Sequence, residues 1–250
     1  MKPTEAYYTA VNTIVRQIVE KEAENIRAAA TVLAYAIMAG RLIHVFGTGG
    51  HSYMAGEEMF YRAGGLQPIN AILDPGVSLA AGATRTTIIE RTPGYARSVL
   101  DAYRVAKDEV MIIVNVNGIN SLTIETALEC QQRGLKVIAV TSREFSLGIP
   151  PGTPSRHPSN KNLFELGDIV IDLHVPPGDA LLDLPGAKHK VAASSTVMVA
   201  FVLNCLQAET IDLLLERGFE PPIWFSGNMP GGDEANKAFI AANAPRIKHL

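Results

Sequence analysis

The sequence predicts an α/β fold: a parallel sheet covered by helices on both faces, preceded by a helical N-terminal extension. Three observations carry this. Short β-branched, apolar runs alternate with helical patterns along most of the chain. The runs are apolar throughout, as strands buried on both faces are, with no even–odd alternation. Glycine-rich and polar turns follow the runs, where open parallel sheets bind ligands. A chain of 250 residues, 47% hydrophobic and 19% charged, is also long and apolar enough to bury a substantial core.

In chain order, residues 5–39 read as two helices. Val11, Ile14, Val15, Ile18 and Val19 recur at helical spacing, and Ala28 to Met38 is apolar almost all round. Gly40 stands where a helix-terminating glycine belongs. Leu42–Phe46 is the first strand; it ends in Gly47-Thr48-Gly49-Gly50, and a helical segment runs on to Arg62. Pro68–Leu73 is a second strand and Val110–Val116, rich in β-branched residues, a third. Helix Leu122–Gln132 ends at Gly134; Lys136–Val140 and Ile169–Val175 are further strands, and a long helix from about Val191 to Arg217 stops at Gly218. Gly148–Asn160, with four prolines, and Glu220–Asp233 read as loops. With no repeat and no dividing linker, one domain over residues 1–250 is expected: helices at 1–40, an α/β core at 41–218 and a tail at 219–250.

Charge and composition narrow the partners. A net charge of −3 gives no basis for nucleic acid or an anionic membrane. Cys130 and Cys205 form no C-x-x-C pair and read as packed thiols in a reducing compartment. Met1–Glu5 leads into a polar helical pattern, unlike a signal segment. Val191–Ala208 carries no charge and approaches membrane-spanning length, but Ser194, Ser195, Thr196, Asn204 and Gln207 favour a buried helix. The expected location is the cytoplasm.

The chemistry concentrates in the turns. In Gly47-Thr48-Gly49-Gly50-His51-Ser52, glycines let a ligand approach the backbone closely, and the following helix offers unpaired N–H groups to an anion or to sugar oxygens. The same residues also suit a tight strand–helix connection with no ligand. A dinucleotide fingerprint needs glycine where Ser52 stands, and a P-loop needs a lysine the turn lacks. Asn117, Asn120 and Ser121 repeat the design after the third strand, where Asn120 or Ser121 equally suits a helix cap. Glu57 and Glu58 follow the glycine turn on its helix; Glu58 is the preferred acid–base residue. His51, His157, His174 and His189 are scattered without metal-ligand spacing, so no metal and no cofactor are expected. His189, between Lys188 and Lys190, forms a small cationic group ahead of the last long helix.

Phe46-Gly47-Thr48-Gly49-Gly50-His51-Ser52 followed by Glu57-Glu58-Met59-Phe60-Tyr61-Arg62-Ala63-Gly64-Gly65 resembles the SIS (sugar isomerase) domain proteins related to phosphoheptose isomerase. Ser155-Arg156-His157, Leu163–Asp172, Gly178-Asp179-Ala180 and Ser194-Ser195-Thr196 fit the same pattern, so the resemblance spans roughly residues 5–240. It implies a three-layer α-β-α sandwich around a five-stranded parallel sheet, assembled as a homodimer or homotetramer. It also implies that a small acidic sugar is held by Gly47, Thr48, Gly49, Gly50, Ser52, Asn117, Asn120, Ser121, Ser142 and Arg143, with Glu58, His189 and His51 as catalytic groups. The implied reaction is aldose–ketose isomerisation through an enediol; a sugar-phosphate sensor and an amino-sugar phosphate lyase or deaminase are the alternatives. Two departures matter. The family's usual serine is Asn117 here, which favours a head group other than phosphate, such as a sulfonate, and the His-x-x-x-Glu zinc pair of phosphoheptose isomerases is missing from the first helix.

Overall fold

A computed structural model describes residues 1–250. Helices α1 (Pro3–Lys21) and α2 (Ala23–Met38) lead into strand β1 (Ile43–Gly47), short helix α3 (Met54–Met59) and β2 (Ile69–Ala71). Helices α4 (Ala83–Arg91) and α5 (Tyr95–Ala102) precede β3 (Val110–Val114), α6 (Ser121–Arg133), β4 (Lys136–Thr141), α7 (Arg143–Leu147) and β5 (Ile169–Asp172). A hairpin of β6 (Ala180–Leu182) and β7 (Val191–Ala193), the long helix α8 (Ser195–Glu216) and α9 (Gly232–Asn243) complete the chain.

The five main strands pair in parallel in the order β2-β1-β3-β4-β5, giving the expected three-layer sandwich. The register places Gly47 of β1 beside Val114 of β3. From β1 the chain moves outward to β2 and then returns to build β3 on the other side. This reversal leaves a crevice beyond the carboxyl ends of β1 and β3.

Each strand feeds two interiors. Ile43, Val45, Ile112, Val114, Ile138 and Ile171 pack with Leu33 and Ile37 of α2 and with Met198, Val202 and Leu206 of α8. Phe46, Met111, Ile113 and Val137 face the other way, toward Val99 and Leu100 of α5 and Leu122 and Ala127 of α6. Burial on both faces explains why the strand runs lack alternation. Helix α2 lies directly on the sheet, which accounts for its nearly all-apolar sequence. Helix α8, the one helix long and apolar enough to cross a membrane, has half of its most apolar window buried in the fold.

Beneath the amino ends of the strands, buried His44 places Nε2 2.7 Å from Glu109, and its Nδ1 is 3.1 Å from the Asn70 side-chain amide. Burial pushes the Glu109 carboxyl up, but the hydrogen bonds from His44 and from the Ala106 N–H outweigh it and hold the group below the usual carboxylate range.

The structure departs from the sequence reading at several boundaries. Val191–Ala193, expected as the start of the long helix, pairs antiparallel with Ala180–Leu182. The reason is a remote cap: Asp179 Oδ1 accepts the N–H groups of Ser194 (2.9 Å) and Ser195 (2.7 Å), fixing the helix start at Ser195. The helix after the glycine turn ends at Met59, short of Arg62, and Tyr61 adopts a left-handed φ of 52°. The third and fifth strands stop at Val114 and Asp172, before Val116 and Val175. Helices α4 and α5 occupy the stretch between the second and third strands, and α9 forms part of the tail.

Candidate functional site

The crevice holds a cavity of about 210 Å³ lined by Gly49, Gly50, His51, Ser52, Glu90, Asn115, Val116, Asn117, Phe145, Asp179 and Ser195. Its floor is the turn after β1. Gly47 closes that turn: a Cβ there would lie 1.7 Å from the Ser52 carbonyl oxygen, so only glycine lets the chain fold back. Thr48 is fully buried and anchors the turn, its hydroxyl 2.7 Å from that of Thr123. Beyond it, the backbone N–H groups of Gly49, His51 and Ser52 make no hydrogen bond within the chain. Unpaired amides grouped in this way form an anion-binding concavity.

The wall is built from β3 and its loop. Asn115, 3% exposed, accepts the Gly118 N–H at Oδ1 (2.9 Å) and donates Nδ2 to the Thr48 carbonyl (3.3 Å), tying the two loops together. Asn117 Oδ1 accepts the Ile119 N–H (3.2 Å) in a local turn, and Asn117 lines the cavity. Opposite, the Asp179 carboxylate accepts from the Ser194 and Ser195 amides and from Ser195 Oγ (2.6 Å), holding Ser195 at the rim.

Glu90, from α4, supplies a second carboxylate. Burial raises its pKa above the ordinary glutamate range, against the opposing pulls of Arg91 and the Gly50 N–H. It stands so close to the turn that a Cβ on Gly49 would lie 2.7 Å from Glu90 Oε2 and 3.0 Å from Asn115 Nδ2. Gly49 is thus glycine because a carboxylate and an amide occupy the place of its side chain. A partly buried carboxyl with a raised pKa, beside unpaired N–H groups, is an arrangement that can move protons.

Of the sequence-predicted residues, the structure brings Gly49, Gly50, His51, Ser52 and Asn117 to this cavity. Gly47 and Thr48 shape its floor from below. Others lie elsewhere. Glu58 lies against α8, its Oε1 accepting from Asn204 Nδ2 (2.9 Å) with Arg62 3.5 Å away, and it does not line the cavity; the carboxylates that do are Glu90 and Asp179. Glu57 is exposed. His189 sits exposed in the β6–β7 hairpin loop, away from its own chain's cavity, because the segment beside it is strand. Asn120 stands at the cap position of α6 but makes no side-chain cap; it donates Nδ2 to the Ser155 carbonyl (2.8 Å). Ser121 is buried in the first turn of α6 and Ser142 donates to the Val175 carbonyl (2.6 Å). Arg143 lies over the Phe164 ring, 5.0 Å from its centroid.

Sequence reasoning missed Glu90, Asn115, Phe145 and Ser195. Asp179 and Ser195 stood within the quoted resemblance, in Gly178-Asp179-Ala180 and Ser194-Ser195-Thr196, which was the available signal. Glu90 carried none, since a glutamate between Ile89 and Arg91 on a helix reads as solvated.

The SIS domain profile matches residues 6–142, more than half of the chain. The chain belongs to the SIS-domain family. The chain is similar to the UPF0309 protein of Geobacillus thermodenitrificans, 37% identical over 244 residues that cover 98% of this chain and 96% of that protein. The UPF0309 protein of Thermoanaerobacter pseudethanolicus is 38% identical over 248 residues, covering 98% of each chain. The SIS fold recurs in the phosphoheptose isomerase of Francisella tularensis, with a TM-score of 0.56 and 14% identity over 85% of this chain and all of that one. The phosphoheptose isomerase of Neisseria gonorrhoeae matches at a TM-score of 0.52 and 15% identity, over 82% and 97% of the two chains. At this identity the two structures show shared fold alone.

Proposed function

We propose that this SIS-domain chain is an aldose–ketose isomerase acting on an acidic sugar, a phosphate or a sulfonate. The observation that carries the reading is Glu90, a carboxyl raised by burial and set against the Gly49 turn, next to three free backbone N–H groups. Glu90 takes the proton from C2 of the opened aldose and returns it to C1, while the hydroxyl proton passes from O2 to O1 through His51. Asn115 Nδ2, beside Glu90, stabilises the negative enediolate oxygen. The His51 and Ser52 amides, Ser52 Oγ and the Asn117 amide hold the acid head. His189, at the hairpin loop, serves the cavity of a neighbouring subunit in a two-fold assembly.

The cavity lining contains no lysine or arginine and two carboxylates, so backbone and amide donors must hold the anion. Because Glu90 works as a base, the rate rises with pH through a pKa above the ordinary glutamate range. The test is exchange of solvent deuterium into C1 or C2 across a panel of aldose phosphates and sulfonates. Exchange with at least one, reduced roughly 10²- to 10⁴-fold in Glu90→Gln with binding retained, supports the reading. Absence of exchange across the panel, or full exchange in Glu90→Gln, refutes it.

A further inference from the structure

A larger cavity, about 510 Å³, lies away from the crevice, between the segment after α3 and the loop leading into α9. It shares no residue with the site described above. We propose that it is a second ligand site, taking a neutral monosaccharide or polyol.

The site is built rather than incidental. Asn236 of α9, 5% exposed, donates Nδ2 to the Phe225 carbonyl (2.8 Å) and accepts the Phe225 N–H (3.2 Å), fixing the start of the loop. The loop closes tightly on the helix start: a Cβ on Gly232 would lie 2.0 Å from the Ser226 carbonyl oxygen, and one on Gly227 2.9 Å from Asp233 Oδ1. Aromatic rings form the base. Trp224 lies 4.7 Å from Tyr61 and 5.4 Å from Phe239, centroid to centroid. Tyr61 is held at φ 52°, a left-handed conformation unusual for a bulky residue.

An unmet donor points to a ligand. Trp224, 2% exposed, lines the cavity, and its indole N–H has no hydrogen-bond partner. Buried donors are rarely left without partners, and a shift of the rings that cover this one would let a hydroxyl in the cavity reach it. Around it the cavity offers the Asp233 carboxylate and the Asn228 and Ser226 side chains. Ring surface for C–H contact, from the exposed Tyr61 and Phe225, with planar acceptors and donors for hydroxyl pairs, is the chemistry that recognises a sugar ring. Charge selects among sugars. The lining carries one cation, Arg62, and one carboxylate, Asp233, so its formal charges cancel and favour a neutral ligand. The cavity therefore suits a ligand different from the acidic sugar of the crevice.

Trp224 is the only tryptophan in the chain, so its fluorescence reports this cavity alone. Titration of the full chain with D-glucose, D-galactose, N-acetyl-D-glucosamine and D-glucitol should give a saturable change in emission with at least one of them. The apparent affinity should fall roughly tenfold or more in Asp233→Ala and in Tyr61→Ala, two variants that act on separate walls. It should be unchanged in Glu90→Gln, which lies in the other cavity, so the result stands or falls independently of any isomerase activity. No saturable change with any of the four probes overturns the proposal. So does an undiminished response in whichever of the two cavity variants retains the native circular dichroism.

Discussion

The place of Gly49 makes a sharp experiment. In Gly49→Ala the new Cβ would stand 2.7 Å from Glu90 Oε2, whereas ordinary contact begins at 3.4 Å. The carboxylate must retreat by about 0.7 Å, because it is the flexible end of a side chain and the backbone of the turn is not. Gly49 does not occupy the positive-φ region, so alanine adopts its backbone conformation, but the buried Asn115 amide at 3.0 Å must also give, so stability should change by no more than about 1 kcal/mol. A base displaced by much of an ångström should lose roughly ten- to a hundredfold in turnover. The assay is deuterium exchange into the sugar at saturating substrate, run beside thermal melts. Gly47→Ala is the contrast: its Cβ meets backbone at 1.7 Å and should prevent folding. Native turnover in Gly49→Ala would remove Glu90 from the chemistry. A large drop in melting temperature would make Gly49 a folding residue instead.

Glu58→Gln should change turnover by less than about threefold, since the side chain contacts Asn204 and Arg62 and not the crevice; measured exchange rates decide between it and Glu90. Asn117→Ser should shift preference toward phosphate over a singly charged head group by about 1 kcal/mol, read from competing Kd values; an unchanged ratio would mean that the Asn117 side chain serves only its local turn. Glu109 titrates below its unfolded value, so its contribution to stability is present at neutral pH and is lost as pH falls from about 4.3 through the folded value. Glu109→Gln should flatten that acid limb in melting curves, and an unaltered limb would refute the assignment. Val19, Tyr35, Met38 and Leu215 leave apolar surface exposed on α1, α2 and α8, so light scattering at micromolar concentration should report a two-fold dimer or a tetramer; a monomer would refute this. In such an assembly, mixed Glu90→Gln and His189→Ala subunits should recover part of the activity that each variant lacks alone.

The sheet was legible because burial on both faces writes itself into unbroken runs such as Val110–Val114, and the Gly49–Ser52 turn because glycines mark close approach. Helix α4 was not, since its nine residues have low mean hydrophobic contrast and only Thr86 is buried. With α4 unread, Glu90 had no place. The start of α8 was misread for a different reason: periodicity continues through Val191, and the cap that stops it, Asp179, lies 16 residues before Ser195. Glu58 illustrates the limit of motif reasoning. Adjacency to the glycine turn placed it near the crevice, but α3 is only six residues long and turns it to α8. The start of α8 and the orientation of Glu58 are both set by contacts between segments distant in sequence.

The sheet also works as a partition. Its two faces carry separately packed interiors, and the crevice lies along the seam where they meet. Glu90 rides on α4, anchored to the α5/α6 side through Ile89, whereas Asp179 and Ser195 belong with α8 on the other. Substitutions within one interior should be nearly additive with those in the other. A change of packing on one side therefore slides one jaw of the site past its opposite without unsettling the second interior. Such a vice has an adjustable gap: a lineage can fit it to ligands of different length by repacking α5 and α6 alone, leaving every group that lines the crevice as it stands.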